Sequence, residues 1–178
     1  MSDEHQLLAR ARRLDQDALC QIHDEYYTRL FRYALYRTGE RELAEDIASE
    51  VMLRLLEGLR AGTGPTTTLA GWLFGVAARV VSDHFRQAYR RPVVELDDRL
   101  GDFDQTPSTL TVQALEREEL RLALRALTEE QQHVVALRFG QGMPIEQVAR
   151  MLGKTEGAIK QLQARAVAAL ARQLKPDQ

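Results

Sequence analysis

Apolar residues recur every three or four positions along most of this chain, so the pattern predicts helices and no strand-rich stretch. The clearest case runs from Met143 to Arg172. Ile145, Val148, Ala149 and Leu152 share one face of a short helix. Gly153 then breaks the pattern, as a residue free to take positive φ does at a helix end. Thr155 follows as an N-cap with Glu156 in the first turn, where the helix dipole favours an acid. Ile159, Leu162, Ala166 and Leu170 form the next apolar face. Two short helices, a tight turn bearing glycine and a basic second helix make a helix-turn-helix pattern. A helical hairpin inside a larger bundle has the same spacing.

Upstream, residues 5–15 read as a short amphipathic helix with Leu7, Leu8, Ala11 and Leu14 on one side. A longer helix spans Ala18 to Thr38, with Leu19, Ile22, Tyr26, Leu30, Tyr33 and Ala34 facing inward and Gly39 as its stop. Glu42 to Arg60 carries Leu43, Ile47, Val51, Leu55 and Leu59 at four-residue intervals, with an acidic opposite face. That face is either simply solvated or a docking surface for a basic partner. Ala61 to Thr68, AGTGPTTT, is a loop by composition. Leu69 to Arg91 is a helix in which Trp72, Val76, Val80 and Phe85 face inward. Arginines beside aromatic rings suit single-stranded nucleic acid, although the rings are more simply core.

Pro92 stops that helix, and 93–111 read as an acidic linker. Beyond it, Val112 to Leu127 keeps helical spacing through Leu115, Leu120, Leu124 and Leu127. Thr128 with Gln131 fits a capping box that opens a helix running through Phe139, with Gly140 and Gly142 ending it. The pattern therefore gives an all-α chain of two small helical domains, 1–92 and 112–178, joined by the linker 93–111.

Charge sharpens this division. The net charge of −2 argues against a uniformly basic nucleic-acid binder. By blocks, residues 1–60 carry −3, 61–92 carry +3, 93–137 carry −6 and 138–178 carry +4. Two basic blocks separated by an acidic one fit a protein that meets nucleic acid at two places. Cys20 is the sole cysteine, and His5, His23, His84 and His133 are scattered. No metal-ligand spacing or nucleophile motif accompanies them, so neither a catalytic residue, a metal nor a cofactor is expected. No apolar run is long enough to span a membrane, and the N-terminus has no signal-peptide order; a cytoplasmic location is expected.

The stretches YYTRLFRYAL, ELAEDIASEVMLRLL and LAGWLFGVAARVVSDHFR, followed by LTEEQQHVVALRFGQGMPIEQVARMLGKTEGAIK, resemble the sigma-70 family. The resemblance is to its small two-domain extracytoplasmic-function (ECF) sigma factors and covers roughly Ala18 to Leu174. It implies a sigma-2 helical bundle that docks on bacterial core RNA polymerase and opens the −10 element of promoter DNA. It also implies a sigma-4 helix-turn-helix that reads the −35 element, and an anti-sigma factor as a further partner, often at a membrane.

Residue by residue, Asp46 holds the acidic place of the family's AED motif, and Ser49, Glu50 and Arg54 join it as the polymerase-docking set. The family commonly has Gln and Phe at Ser49 and Met52. The loop with Gly62, Thr66, Thr67 and Thr68 falls where the family captures an extruded −10 base. Arg79, His84, Arg86, Arg90 and Arg91 fall along the helix laid against −10 DNA. Thr155, Glu156, Gly157, Lys160, Gln161, Ala164 and Arg165 form the outward side of the −35 recognition helix. Lys160 and Arg165 can bind phosphate or guanine, and Gln161 can pair with adenine. Two rival readings keep a helical fold: a dimeric helix-turn-helix regulator independent of polymerase, and an adaptor that binds only protein.

Overall fold

The computed structural model describes residues 2–66, 68–90 and 118–174, all helix, turn or loop with no strand among them. The helices are α1 (Ser2–Ala11), α2 (Gln16–Thr38), α3 (Arg41–Ala61), α4 (Leu69–Arg90), α5 (118–125), α6 (Glu129–Val135), α7 (Ile145–Leu152) and α8 (Glu156–Gln173). The expected linker 93–111, with Arg91 and residues 112–117, lies outside the described residues.

Local chemistry sets the helix ends. Asp15 caps α2, its carboxylate accepting from the Ala18 amide at 2.8 Å. Gly39 closes α2 at φ +75°, where its amide reaches the Leu35 carbonyl. Gly62 ends α3 in the same conformation at φ +72°. Thr128 and Gln131 form the expected capping box, each side chain satisfying the other's backbone amide.

Three expectations fail locally. The first helix ends at Ala11, and Leu14 is exposed at φ +61° instead of joining the apolar face. The chain must reverse there so that Asp15, paired with Arg10 at 2.8 Å, can cap α2. Leu120 is also exposed, while Ala123 and Leu127 take the buried places. Beyond Val135 the expected helix widens into a π-helical segment, Ala136–Gly140. That widening keeps Leu137 fully buried and turns Phe139 out to 55% exposure.

The two halves are packed against each other. A continuous core combines Ile22, Leu30, Tyr33, Val51, Leu69, Leu73 and Phe74 from α2–α4 with Leu137, Met143, Val148 and Ile159 from the second half. A smaller cluster of Leu127, Val135 and Ala166 seats α8 on α6. α7 lies along the start of α4, close enough that a Cβ built on Gly71 would sit 3.6 Å from the Met151 Cα.

At the centre of this joint is a buried polar chain. The Arg37 guanidinium donates to Tyr33 Oη at 2.9 Å. The Tyr33 hydroxyl also shares a hydrogen bond with His133 Nδ1 at 2.6 Å. The Tyr33 ring meets both Phe74 and His133 edge to face at 5.5 Å. Burial pushes the Tyr33 phenol up to about 12. Burial, and then the Arg37 charge, push His133 down from 6.5 to about 4.

Two outcomes follow from this chain. Tyr33→Phe removes the shared oxygen and leaves two buried polar groups without their partner. Urea unfolding should show a loss of about 1–3 kcal/mol. The second outcome is pH dependence. The unfolded chain takes up the His133 proton near pH 6.5, the packed one only near pH 4. Stability from keeping this ring neutral is therefore complete above about pH 6.5 and falls away between there and pH 4. Over that window the loss reaches about 3 kcal/mol. A His133→Asn variant should show a shallower pH slope than the parent in urea unfolding between pH 7 and 4.

Candidate polymerase and nucleic-acid interfaces

The outer face of α3 carries the first candidate surface. Its inner side is fixed by Ile47, Val51 and Leu55, all buried, which forces the intervening positions outward. Asp46, Ser49 and Arg54 are exposed and Glu50 is half-buried. The four are brought together on adjoining turns. Arg54 donates to Glu50 at 2.6 Å, and Ser49 lies 3.3 Å from the Tyr27 hydroxyl of α2. Leu53, absent from the sequence-based set, stands among them at 55% exposure. Leu53 thus adds an exposed apolar position to an otherwise polar face.

The second surface is the loop between α3 and α4. Gly62 begins it and Thr66 is exposed, while Pro65 is buried. Thr68 is less available than its sequence implied, because its hydroxyl oxygen accepts from the Gly71 amide at 3.2 Å and helps cap α4. Thr67 lies outside the described residues. Along α4, Arg79, His84 and Arg86 are all exposed. Arg79 and Arg86 are seven residues apart and so share a stripe, from which His84 is offset. Arg86 also approaches Glu129 of α6 at 3.9 Å. The side chain of Arg90, like Arg91, lies outside the described residues.

Two supports of the loop escaped sequence reasoning, because they come from α1, far away in the chain. Glu4 accepts from the Leu69 amide at 2.8 Å, and Arg12 donates to the Pro65 carbonyl at 2.7 Å. No spacing rule links positions separated by more than fifty residues.

The third surface is α8. Thr155 caps it, accepting from the Ala158 amide at 3.2 Å. Ile159 and Ala166 are fully buried beneath it. That anchoring leaves Thr155, Glu156, Gly157, Lys160, Gln161, Ala164 and Arg165 all exposed, as expected. Lys160 and Glu156 face each other one turn apart at 3.9 Å. Arg138 holds the helix from below, donating to Gln163 at 3.1 Å and also to the Met143 carbonyl. Lys154 pairs with Glu130 at 2.8 Å, tying the turn between α7 and α8 to the start of α6.

Comparison with known proteins identifies the family. The family pattern described as Sigma-70 region 2 matches residues 22–91, and that of Sigma-70, region 4, matches residues 123–172. The chain is 32% identical to the ECF RNA polymerase sigma factor SigL of Mycobacterium tuberculosis over 139 residues, 78% of each protein. The chain belongs to the sigma-70 family, among its ECF members. It is also 37% identical to the ECF RNA polymerase sigma factor BldN of Streptomyces coelicolor over 174 residues. That match covers 97% of this chain and 66% of BldN, so the chain spans about two thirds of that relative's length. The solved structure of CnrH, in complex with the cytosolic domain of CnrY, has the same fold at a TM-score of 0.70 and 20% identity. It covers 98% of this chain and 99% of CnrH. An ECF sigma factor directs RNA polymerase to promoters, and the fold found here is the all-α, two-part fold that the pattern implied. No helix among the described residues is long and apolar enough to cross a membrane.

The cap of α8 supplies a direct check. Thr155→Ala should cost about 1 kcal/mol of stability, and Thr155→Ser should recover most of it. Thermal unfolding of the two variants beside the parent would show whether the hydroxyl is what matters.

Proposed function

We propose that this ECF sigma factor divides its work among the three surfaces. Asp46, Ser49, Glu50 and Arg54 dock on core RNA polymerase. Gly62, Thr66, Thr67 and Thr68 receive an extruded −10 base, and Arg79, His84, Arg86, Arg90 and Arg91 hold the adjacent DNA. Thr155, Glu156, Gly157, Lys160, Gln161, Ala164 and Arg165 face the −35 element. The working units are 1–92 and 112–178, with 93–111 as an acidic linker between them. Polymerase performs the chemistry, and this chain contributes binding energy and base selection without a cofactor. It works in the cytoplasm, at the nucleoid when in holoenzyme. An anti-sigma factor, in the way that CnrY's cytosolic domain joins CnrH, would hold it in reserve, in some cases near a membrane.

The observation that carries this reading is the face of α8. A buried Ile159–Ala166 spine fixes a helix whose Lys160, Gln161 and Arg165 are all exposed. Lysine and arginine meet phosphate or guanine, and glutamine meets adenine, with the geometry that major-groove reading needs.

The reading also requires a rearrangement. Elements centred about 25 base pairs apart lie roughly 85 Å apart on duplex DNA at ~3.4 Å per pair. The α4 and α8 faces cannot meet both elements while their halves share one core. Holoenzyme formation therefore separates the halves, and the linker then joins two moderate interfaces into one avid contact.

Transcription in vitro with purified bacterial core polymerase tests the assignment. Specific transcripts should appear only when this chain is added. Arg165→Ala should lower transcription from −35-dependent promoters by about tenfold, in line with a lost base or phosphate contact worth 1–3 kcal/mol. Asp46→Arg should weaken polymerase binding while leaving the fold intact. Tight promoter binding without polymerase, together with no polymerase affinity, would instead favour a stand-alone regulator.

A further inference from the structure

Helix α1 lies outside the residues matched by the region 2 pattern, which begin at residue 22. It is nevertheless built into the first half. Leu7, Leu8 and Ala11 are buried in the shared core. A ten-residue helix is too short to hold itself together in water, so that packing is what forms it.

Its two polar ends reach the same short segment. Glu4, near its start, accepts from the Leu69 amide at 2.8 Å. That amide belongs to the first turn of α4, whose N–H groups have no partner within the helix. Arg12, just past its end, donates to the Pro65 carbonyl at 2.7 Å. Both anchored backbone groups are therefore held from one element. Residues 66–68 run between them, and Thr66 is exposed at the head of that span. Arg12 is itself placed by the tight reversal after α1. There the Arg12 amide donates to Leu8, Arg13 to Arg10 and Leu14 to Ala11. Leu14 takes its positive φ in the same reversal, which the Arg10–Asp15 pair closes.

We infer that α1 is a positioning element for −10 recognition, with Glu4 and Arg12 fixing the two ends of the loop 65–69 and so its selectivity for the captured base. This inference rests on the base-capture reading proposed above. Neither residue needs to touch DNA. A pocket that discriminates bases must hold its hydrogen-bonding groups within a fraction of an ångström, and an untethered loop cannot do so. Glu4 restrains the loop where it enters α4, and Arg12 restrains it at Pro65. Holding the Pro65 carbonyl and the Leu69 amide before DNA arrives is preorganisation in the ordinary sense.

The test uses full-length protein in holoenzyme with core polymerase. Open-complex formation is measured on four promoters that differ only in the extruded −10 base. Glu4→Ala and Arg12→Ala should each compress the parent's base preference by about threefold to tenfold, the scale of one hydrogen bond. Polymerase affinity should stay at the parent's value. Glu4→Gln keeps an acceptor and Arg12→Lys keeps a donor, so both should restore the preference. Arg12 is exposed, so its variants keep the fold even where a change at Glu4 loosens α1. A loss shared equally by all four promoters, or an unchanged preference in both alanine variants, would overturn the inference. A doubled Thr66→Ala and Thr67→Ala variant separates the two levels. If it loses base preference while the α1 variants keep theirs, only the role of α1 falls. If it keeps the parent's preference, the base-capture reading falls and takes this inference with it.

Discussion

One phenolic oxygen governs how the halves of this chain meet. Tyr33 Oη is fully buried, accepts from Arg37 and hydrogen-bonds with His133, which comes from the second half. Around it the packing is apolar and close, with Phe74 against the Tyr33 ring and Leu137 and Ile159 completing the same core. A buried polar chain of this kind stabilises only when each member is paired. Here the pairing is incomplete. The Arg37 guanidinium is buried without a carboxylate partner among the described residues, and its Nε makes no hydrogen bond there. Keeping a charge in that position costs free energy that apolar burial must offset. The joint is thus specific in geometry, with one buried charge whose hydrogen bonding is incomplete among the described residues.

The surfaces divide in the way this joint dictates. On α8 the outward face is exposed while its spine is buried, so the face proposed to read the −35 element is open in the packed form. On α4 the situation is mixed. Arg79 and His84 face solvent, but Arg86 leans toward Glu129 and the N-terminal turns are overlaid by α7. Packing of the halves thus covers more of α4 than of the outward face of α8. The outer face of α3, proposed above for docking, leaves Leu53, Asp46 and Arg54 open.

Much of this was legible in the sequence because it depends on near neighbours. Gly39, Gly153, Thr155 and the Thr128–Gln131 box act within a single turn, and each sits where its chemistry requires. The spine of α8 and the inner face of α3 follow from helical spacing alone. What escaped depends on distant partners. Leu14 was placed on an apolar face because its spacing fits, but the need to present Asp15 to α2 overrides spacing. Phe139 continues the expected helix by position, yet the π-helical turn that buries Leu137 rotates it outward. His133 looked like one of four scattered histidines until the fold put it against Tyr33, a hundred residues away in the chain. The roles of Glu4 and Arg12 stayed hidden for the same reason.

The core shared by the two halves has a consequence for the tempo of assembly. Leu137, Met143 and Ile159 must leave Leu30, Leu69 and Phe74 before the halves can part, and no single contact can be released without its neighbours. If holoenzyme formation separates the halves, as proposed above, separation is a cooperative event with its own clock. Raising the polymerase concentration speeds encounter, but not that event. Holoenzyme formation would then approach a ceiling set by the sigma chain itself, so the timing of a transcriptional response would be written partly in the packing of this small protein.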